Sequence, residues 1–122
     1  MIFHITSRSE WKAAQARGEY HASSLETEGF IHMSTSKQVV QVANAFYRGQ
    51  SDLVLLVVDE MRVTSQVKWE APAGAPASGI SQDDKFPHIY GPLNLDAVVD
   101  VLDFNPDASG NLQLPASLIT DK

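Results

Sequence analysis

This chain has no cysteine and few basic residues for its length. Without cysteine, its 122 residues can form no disulfide, no thiolate metal site and no cysteine nucleophile. Nine Lys and Arg against fifteen Asp and Glu give a net charge of −6, with no basic run. Because nucleic-acid backbones attract clustered cations, this balance argues against binding double-stranded nucleic acid. The lack of cysteine is also typical of a cytoplasmic protein, the compartment we expect.

Long apolar runs and glycine-rich loops are also missing. The longest apolar run, 53–58, is too short to cross a bilayer, and the N-terminus lacks the pattern of a signal peptide. The chain has no Gly-x-Ser-x-Gly elbow and no phosphate-binding loop, which argues against Ser-His-Asp hydrolase, P-loop and Rossmann sites. The four histidines lack His-x-His or His-x-x-x-His spacing, so we expect no metal site.

The apolar patterns predict one domain over residues 1–122 of the α+β class. Ser7 and Glu10 have the spacing of a capping box and Gly18 that of a helix end, which predicts a helix between them. A second helix is expected from a cap at Ser36 to Gly49. Its apolar stripe has three- and four-residue steps: Val39, Val40, Ala43, Phe46 and Tyr47. Strands are expected at 1–6, 20–22, 29–34, 53–58, 63–71, 86–90 and 95–104.

The last strands border two irregular segments. Along the alternating segment 66–70, Val67 and Trp69 are expected to face the core. Residues 72–85 are rich in Ala, Gly, Pro and Ser, which predicts a mobile loop beside a cleft. Residues 105–122 are expected to form a hairpin or a loosely packed tail.

Three histidines lie in short apolar segments where an imidazole needs polar partners. Because strand residues alternate in direction, His4 shares a face with Thr6. In the same way, His32 shares a face with Ser34. The third segment places one histidine between two aromatic residues on one side: Phe86, His88 and Tyr90. We therefore expect a cleft lined by histidines, with the rings of His4 and His32 close together.

Two features of these segments allow alternative interpretations. Glu70, at the end of a strand, would orient a substrate hydroxyl or act as a base if it faces the cleft. If it faces solvent, it is an ordinary exposed neighbour of Lys68. The pairs His4-x-Thr6 and His32-x-Ser34 also match phosphoesterases that use two such motifs as acid and base, although 28 residues is a short separation for that fold.

Five segments together resemble a family of small bacterial proteins of unknown function, over roughly residues 2–103. The segments are Phe3–Thr6, Gly29–Ser34, Asp52–Leu56, Lys68–Glu70 and Phe86–Gly91. The fold of that family is similar to the fold of ADP-ribosyltransferases and RNA 2′-phosphotransferases. The resemblance implies two small twisted antiparallel sheets around a cleft, with one or two flanking helices.

The resemblance also implies site residues. In ADP-ribosyltransferases the cleft binds NAD, a first-strand His contacts the ribose, and a later Glu engages the ribose 2′-hydroxyl. His4 and Glu70 match these positions, and His32 stands where the His-type enzymes have Tyr. We therefore expect Glu70 and His32 to be catalytic. Phe30 and Tyr90 are the candidates for stacking on nicotinamide. The full set of expected substrate-binding residues is His4, Thr6, Phe30, Ser34, His88 and Tyr90.

The function expected from this resemblance is binding of NAD or an ADP-ribose-like nucleotide. ADP-ribosyl transfer or NAD hydrolysis is the implied reaction, with NAD as substrate, no metal and an unspecified acceptor. Two alternatives stay open. One is a two-histidine phosphoesterase that acts on a small nucleotide or an RNA end, and the other is a ligand-binding module without turnover.

Overall fold

The fold combines short strands and helices, and the predicted α+β class is confirmed. The computed structural model describes residues 1–71 and 85–115. The strands are β1 (Ile2–Ser7), β2 (Glu19–Tyr20), β3 (Ile31–His32), β4 (Leu53–Val58), β5 (Gln66–Glu70), β6 (Phe86–Tyr90), β7 (Leu93–Asn94) and β8 (Val98–Asp103). The helices are α1 (Arg8–Arg17), α2 (Ser24–Thr27) and α3 (Val39–Phe46), with 3₁₀ turns at Glu60–Arg62 and Leu95–Ala97.

The described strands pair in three antiparallel sheets. Two sheets have three strands each, in the orders β1-β4-β8 and β3-β6-β5. The third, β2-β7, is a ladder of two residues per strand that pairs Tyr20 with Leu93. The expectation of two sheets missed this ladder, because two residues are too few to show an alternating pattern.

Strand β4 lies at the centre of the core and is buried on both faces. Val54, Leu56 and Val58 pack in one apolar cluster with Ile31, Ile89 and Leu93 from the other sheets. Leu53, Leu55 and Val57 pack on the opposite side against α3 and Phe104. A strand that contacts apolar partners on both faces needs a continuous apolar sequence, which is why 53–58 does not alternate.

The first helix has the predicted ends. The Ser7 hydroxyl accepts a hydrogen bond from the Glu10 amide at 3.1 Å, and Gly18 adopts a left-handed φ of 99°. The predicted cap of α3 at Ser36 was wrong, since the helix begins after Gln38, which makes no side-chain cap hydrogen bond. In the turn before the helix, Thr35 and Gln38 exchange reciprocal hydrogen bonds, because Thr35 has a Gln three residues later and Ser36 does not.

Two aromatic residues predicted to face the core are exposed instead. The Phe46 side chain, at the end of α3, is 62% exposed, whereas Val39 and Ala43 are fully buried. Trp69 is 44% exposed, and its indole N–H donates to Glu60 at 2.9 Å. The indole needs a polar partner, and Glu60 on the adjacent 3₁₀ turn holds it at the surface.

The two predicted irregular segments, 72–85 and 105–122, are described only in part. The predicted mobile loop 72–85 lies outside the described residues except for Lys85. After Phe104, a turn closes between Asp107 and Asn111, and Leu112 is buried. The rest of the predicted hairpin or tail 105–122, from 116 to 122, lies outside the described residues. None of the helices in the described ranges has the length and apolar character to cross a bilayer.

Candidate functional site

A cleft of about 670 Å³ follows the free edge of β1, and we call it the edge cleft. β1 is the outer strand of its sheet, and only Phe3 on this edge pairs with another described segment, through a bridge to Ser34. On one side the edge cleft is bounded by Val42, Phe46 and Tyr47. Polar groups line the other parts: His4, Thr6, Tyr20, Glu28, His32 and Ser34.

The backbone of Ile5 points into this edge cleft. Phe3 exchanges both of its backbone hydrogen bonds with Ser34, at 2.8 Å each, so the Phe3 amide and carbonyl point away from β4. Backbone groups alternate along an antiparallel strand, and Ile5 therefore points the same way. No hydrogen bond within residues 1–71 and 85–115 uses the Ile5 backbone. The Ile5 backbone thus offers the edge cleft one donor and one acceptor in fixed positions.

His4 is buried beside the edge cleft with both ring nitrogens engaged. Its Nδ1 lies 2.6 Å from the carbonyl oxygen of His32, and its Nε2 lies 2.8 Å from the hydroxyl of Tyr20. That hydroxyl is also 3.0 Å from the hydroxyl of Thr6. Burial lowers the pKa of His4 to about 4 and raises the pKa of Tyr20 to about 12. Both side chains are therefore neutral at pH 7.

A second polar group, which we call the outer cluster, covers the outward face of the β3-β6-β5 sheet. His32 pairs with His88, so their rings share that face, while Ile31 and Ile89 point to the core. The ring centroids of His32 and His88 are 5.5 Å apart. The outer cluster consists of Phe30, His32, Glu70, His88 and Tyr90.

Phe30 packs at the centre of the outer cluster. Its ring stacks on His88, with centroids 4.2 Å apart and planes inclined by 20°. His32 meets Phe30 edge-on at 4.9 Å, and Tyr90 lies 5.2 Å away. His88 is only 2% exposed. The histidine is thus held from one side by an aromatic ring and at its Nδ1 by a carboxylate.

Glu70 anchors the outer cluster through one oxygen. Its Oε1 accepts from His88 Nδ1 at 2.8 Å and from the Tyr90 hydroxyl at 2.6 Å. The hydrogen bond from Tyr90, followed by that from His88, lowers the pKa of Glu70, and the same contact raises the pKa of Tyr90. Lys68 Nζ lies 4.8 Å from the centre of the Tyr90 ring. Glu70 is therefore ionised at neutral pH.

The edge cleft and the outer cluster meet at His32. Its backbone carbonyl holds His4, and its ring contacts Phe30 and His88. Its Nε2 lies 3.0 Å from Glu28 Oε1. Because an ionised carboxylate only accepts, His32 donates Nε2–H to Glu28. Its Nδ1 makes no hydrogen bond to another described residue.

The structure brings the expected site residues into these two groups. His4, Thr6, His32 and Ser34 line the edge cleft. Phe30, Glu70, His88 and Tyr90 belong to the outer cluster and do not line the edge cleft as the described residues define it. Within the described residues, no three His, Asp or Glu side chains are grouped to hold a metal ion.

Sequence reasoning missed two residues of the edge cleft. Tyr20 was assigned to a short strand without a role, yet it joins His4 to Thr6. Glu28 lies outside the predicted strands and was given no role, yet it contacts His32. The four-residue spacing of Glu28 and His32 gave a weak signal for their contact. No local pattern linked Tyr20 to β1, because their contact depends on the turn at Gly18.

A protein family of unknown function, DUF952, has a family model that matches residues 5–101. This chain belongs to that family. The DUF952 match begins one residue after His4 and covers the segments of His32 and His88, together with β4, β5 and β6. It carries no assigned activity.

Solved structures similar to this DUF952 chain come from Caulobacter crescentus. The crystal structure of protein CC0527 is 38% identical, covers 93% of each chain and has a TM-score of 0.79. The crystal structure of a double mutant of CC0527 gives the same values. The solution NMR structure of CC0527 is 36% identical, covers 98% of this chain and 97% of that one, and has a TM-score of 0.77. No curated protein matched the chain.

Proposed function

We propose that the edge cleft binds NAD or an ADP-ribose-like nucleotide, in a fold of the ADP-ribosyltransferase type. The observation that carries this proposal is the free Ile5 backbone at the edge of β1, which no other described residue engages. One amide N–H and one carbonyl on the same strand edge complement a primary carboxamide, which has one acceptor and one donor group. Nicotinamide has such a carboxamide, and adenine presents a similar donor and acceptor pair.

The other groups of the edge cleft suit the remaining parts of a nucleotide. The hydroxyls of Thr6 and Ser34 can bond to ribose hydroxyls, and Phe46 and Tyr47 offer apolar surface to a ring. A volume of about 670 Å³ lies within the range of roughly 300–1,000 Å³ that is common for small-molecule sites. The acidic net charge does not prevent binding, since backbone amides and imidazoles also bind phosphates.

The outer cluster supports a reaction at the ribose. When the glycosidic bond to nicotinamide breaks, its electron pair leaves with the nicotinamide nitrogen, and positive charge develops on the ribose. The ionised Glu70 carboxylate would stabilise that charge through the oxygen not used by His88 and Tyr90. Water or an acceptor would then bond to the ribose carbon, and His32 Nδ1 would take its proton. This requires the ribose to lie beside His32, where the edge cleft meets the outer cluster.

A two-histidine phosphoesterase is the second candidate, because Thr6 and Ser34 both line the edge cleft with their histidines. That reaction needs one histidine as acid and the other as base. Both ring nitrogens of His4 are engaged within the protein, and its pKa of about 4 keeps it neutral. This arrangement favours nucleotide binding over phosphoester cleavage. A module that binds the nucleotide without turnover would use the same edge cleft.

The proposal is tested by titrating the protein with NAD, ADP-ribose and deamido-NAD, in which a carboxylate replaces the carboxamide. A ligand that binds only the folded state, at a hundred times its Kd, adds about 2.7 kcal/mol, or roughly 10 °C in Tm. We expect NAD to stabilise the protein and deamido-NAD to bind at least about tenfold more weakly, since it cannot donate to the Ile5 carbonyl. Absence of any shift with NAD and ADP-ribose would contradict the proposal.

Turnover is measured separately by release of nicotinamide. Release that Glu70→Gln lowers by about a hundredfold or more supports the transferase or glycohydrolase form. Binding without release supports the module without turnover. Cleavage of a cyclic or linear phosphodiester in the absence of NAD would favour the phosphoesterase instead.

A further inference from the structure

The buried hydrogen bonds of His4, Tyr20 and Thr6 have a direction that chemistry determines. A carbonyl oxygen only accepts, so His4 Nδ1 must donate to the His32 carbonyl at 2.6 Å. In a neutral imidazole the other nitrogen then carries no proton and must accept. Tyr20 therefore donates its single hydroxyl proton to His4 Nε2 at 2.8 Å.

The same reasoning fixes the direction of the next hydrogen bond, which joins Tyr20 to Thr6 at the edge cleft. The hydroxyl oxygens of Tyr20 and Thr6 lie 3.0 Å apart. With the single Tyr20 proton committed to His4, Thr6 is the hydroxyl that still has a proton for this contact, and we therefore infer that Thr6 donates to Tyr20. The Thr6 hydroxyl proton is thereby used inside the protein, and its oxygen keeps free lone pairs. Thr6 is 6% exposed and lines the edge cleft, so those lone pairs are available to a ligand there.

We propose that Tyr20 is a positioning residue that holds His4 as the neutral Nδ1–H tautomer, and that Thr6 presents a hydrogen-bond acceptor which selects ligands carrying a hydroxyl or N–H donor at that point. The role of Thr6 toward a ligand rests on the proposed function. The chain of hydrogen bonds itself does not, and it is measurable in the free protein.

If these hydrogen bonds ran in the opposite direction, His4 would have to be charged. An imidazolium would donate Nε2–H to Tyr20, Tyr20 would donate to Thr6, and Thr6 would donate its own proton to the ligand. Four other titratable groups line the edge cleft around these hydrogen bonds: Glu10, Glu28, His32 and Tyr47. The two directions predict opposite effects of removing the Tyr20 hydroxyl.

The first test is nitrogen-15 NMR of the histidine rings in the full-length protein at pH 7. We expect His4 to be neutral with its proton on Nδ1. In Tyr20→Phe, Nε2 loses the donor that stabilises the neutral ring, so the pKa of His4 should rise by about half to one unit. Tyr47→Phe, which also removes a hydroxyl from the edge cleft, should leave His4 unchanged. A proton on Nε2, or a fall of the His4 pKa in Tyr20→Phe, would overturn the assignment.

The second test compares NAD binding to Thr6→Val and Thr6→Ser by calorimetry. Valine keeps the shape but removes the oxygen, and we expect a loss of about tenfold in affinity. Serine keeps the oxygen and should bind within about threefold of the wild type. Equal binding to all three proteins would overturn the role of Thr6 while leaving the proposed function intact. If NAD fails to bind the wild type, the proposed function is wrong. The NMR result still decides the direction of the hydrogen bonds that join His4, Tyr20 and Thr6.

Discussion

Acidification should destabilise this protein through His4 before most carboxylates are protonated. Burial lowers the pKa of His4 from 6.5 to about 4 in the folded state, while the unfolded chain keeps the higher value. Between these values the unfolded state binds more protons, so the free energy of unfolding falls as the pH falls. The difference of about 2.5 units, at 1.36 kcal/mol per unit, corresponds to about 3 kcal/mol. The loss begins near pH 6.5 and is complete below pH 4.

A loss of this size is a large part of the stability of a small domain, about 5–15 kcal/mol. We would measure the free energy of unfolding in urea at intervals from pH 7.5 to 4. His4→Gln removes the titrating ring, and its curve should be flatter than the wild-type curve by about 3 kcal/mol over this range. If that variant folds poorly, His4→Asn provides a second non-titrating side chain.

The matched control is His21→Gln, which removes a half-exposed imidazole. It should keep the wild-type dependence on pH, because the buried ring of His4 is still present in this variant. The contribution of the carboxylates is common to all these proteins and cancels in the comparison. Parallel curves for the wild type and His4→Gln would show that His4 is not a buried neutral ring, and the reasoning would be refuted.

Three further predictions concern the site and the fold. Glu70→Gln should leave NAD affinity within a few fold but lower any release of nicotinamide by about a hundredfold, measured by single-turnover assay; equal rates would remove Glu70 from the reaction. Gly91→Ala should lower the midpoint of urea unfolding more than Gly18→Ala. Both have positive φ, but only at Gly91 would the new Cβ lie 2.5 Å from a neighbouring atom, a serine Oγ. Asn44→Ala should cost about 1–3 kcal/mol, since this amide bonds both backbone groups of the buried Leu112; an unchanged midpoint would contradict it.

The local parts of the fold were predictable from sequence. The cap at Ser7, the helix end at Gly18 and the apolar run of β4 are each determined by a few neighbouring residues. The failures were at positions where distant partners decide. Trp69 follows the alternation of β5, but Glu60 provides a hydrogen bond at the surface. Phe46 follows the apolar stripe of α3, but it lies beside the edge cleft and not over the core.

The candidate site was predictable as a set of residues but not as an arrangement. The apolar–histidine pattern indicated His4, His32 and His88, and the structure brings these histidines into contact through a backbone carbonyl and a ring edge. The pattern could not show that His32 belongs to both the edge cleft and the outer cluster. It also gave no sign of Tyr20, since its contact with His4 spans 16 residues and passes through a helix.

The free edge of β1 also bears on how the protein avoids aggregation. Unpaired strand edges are templates for pairing with other chains, and natural proteins keep them short or covered. Here the open stretch is limited by the bridge at Phe3 on one side and by the start of α1 at Arg8 on the other. Between these limits, and as far as residues 1–71 and 85–115 show, a foreign strand would find the Ile5 backbone alone, which is too little for a ladder. The same backbone groups that can bind a small molecule are therefore withheld from intermolecular sheets.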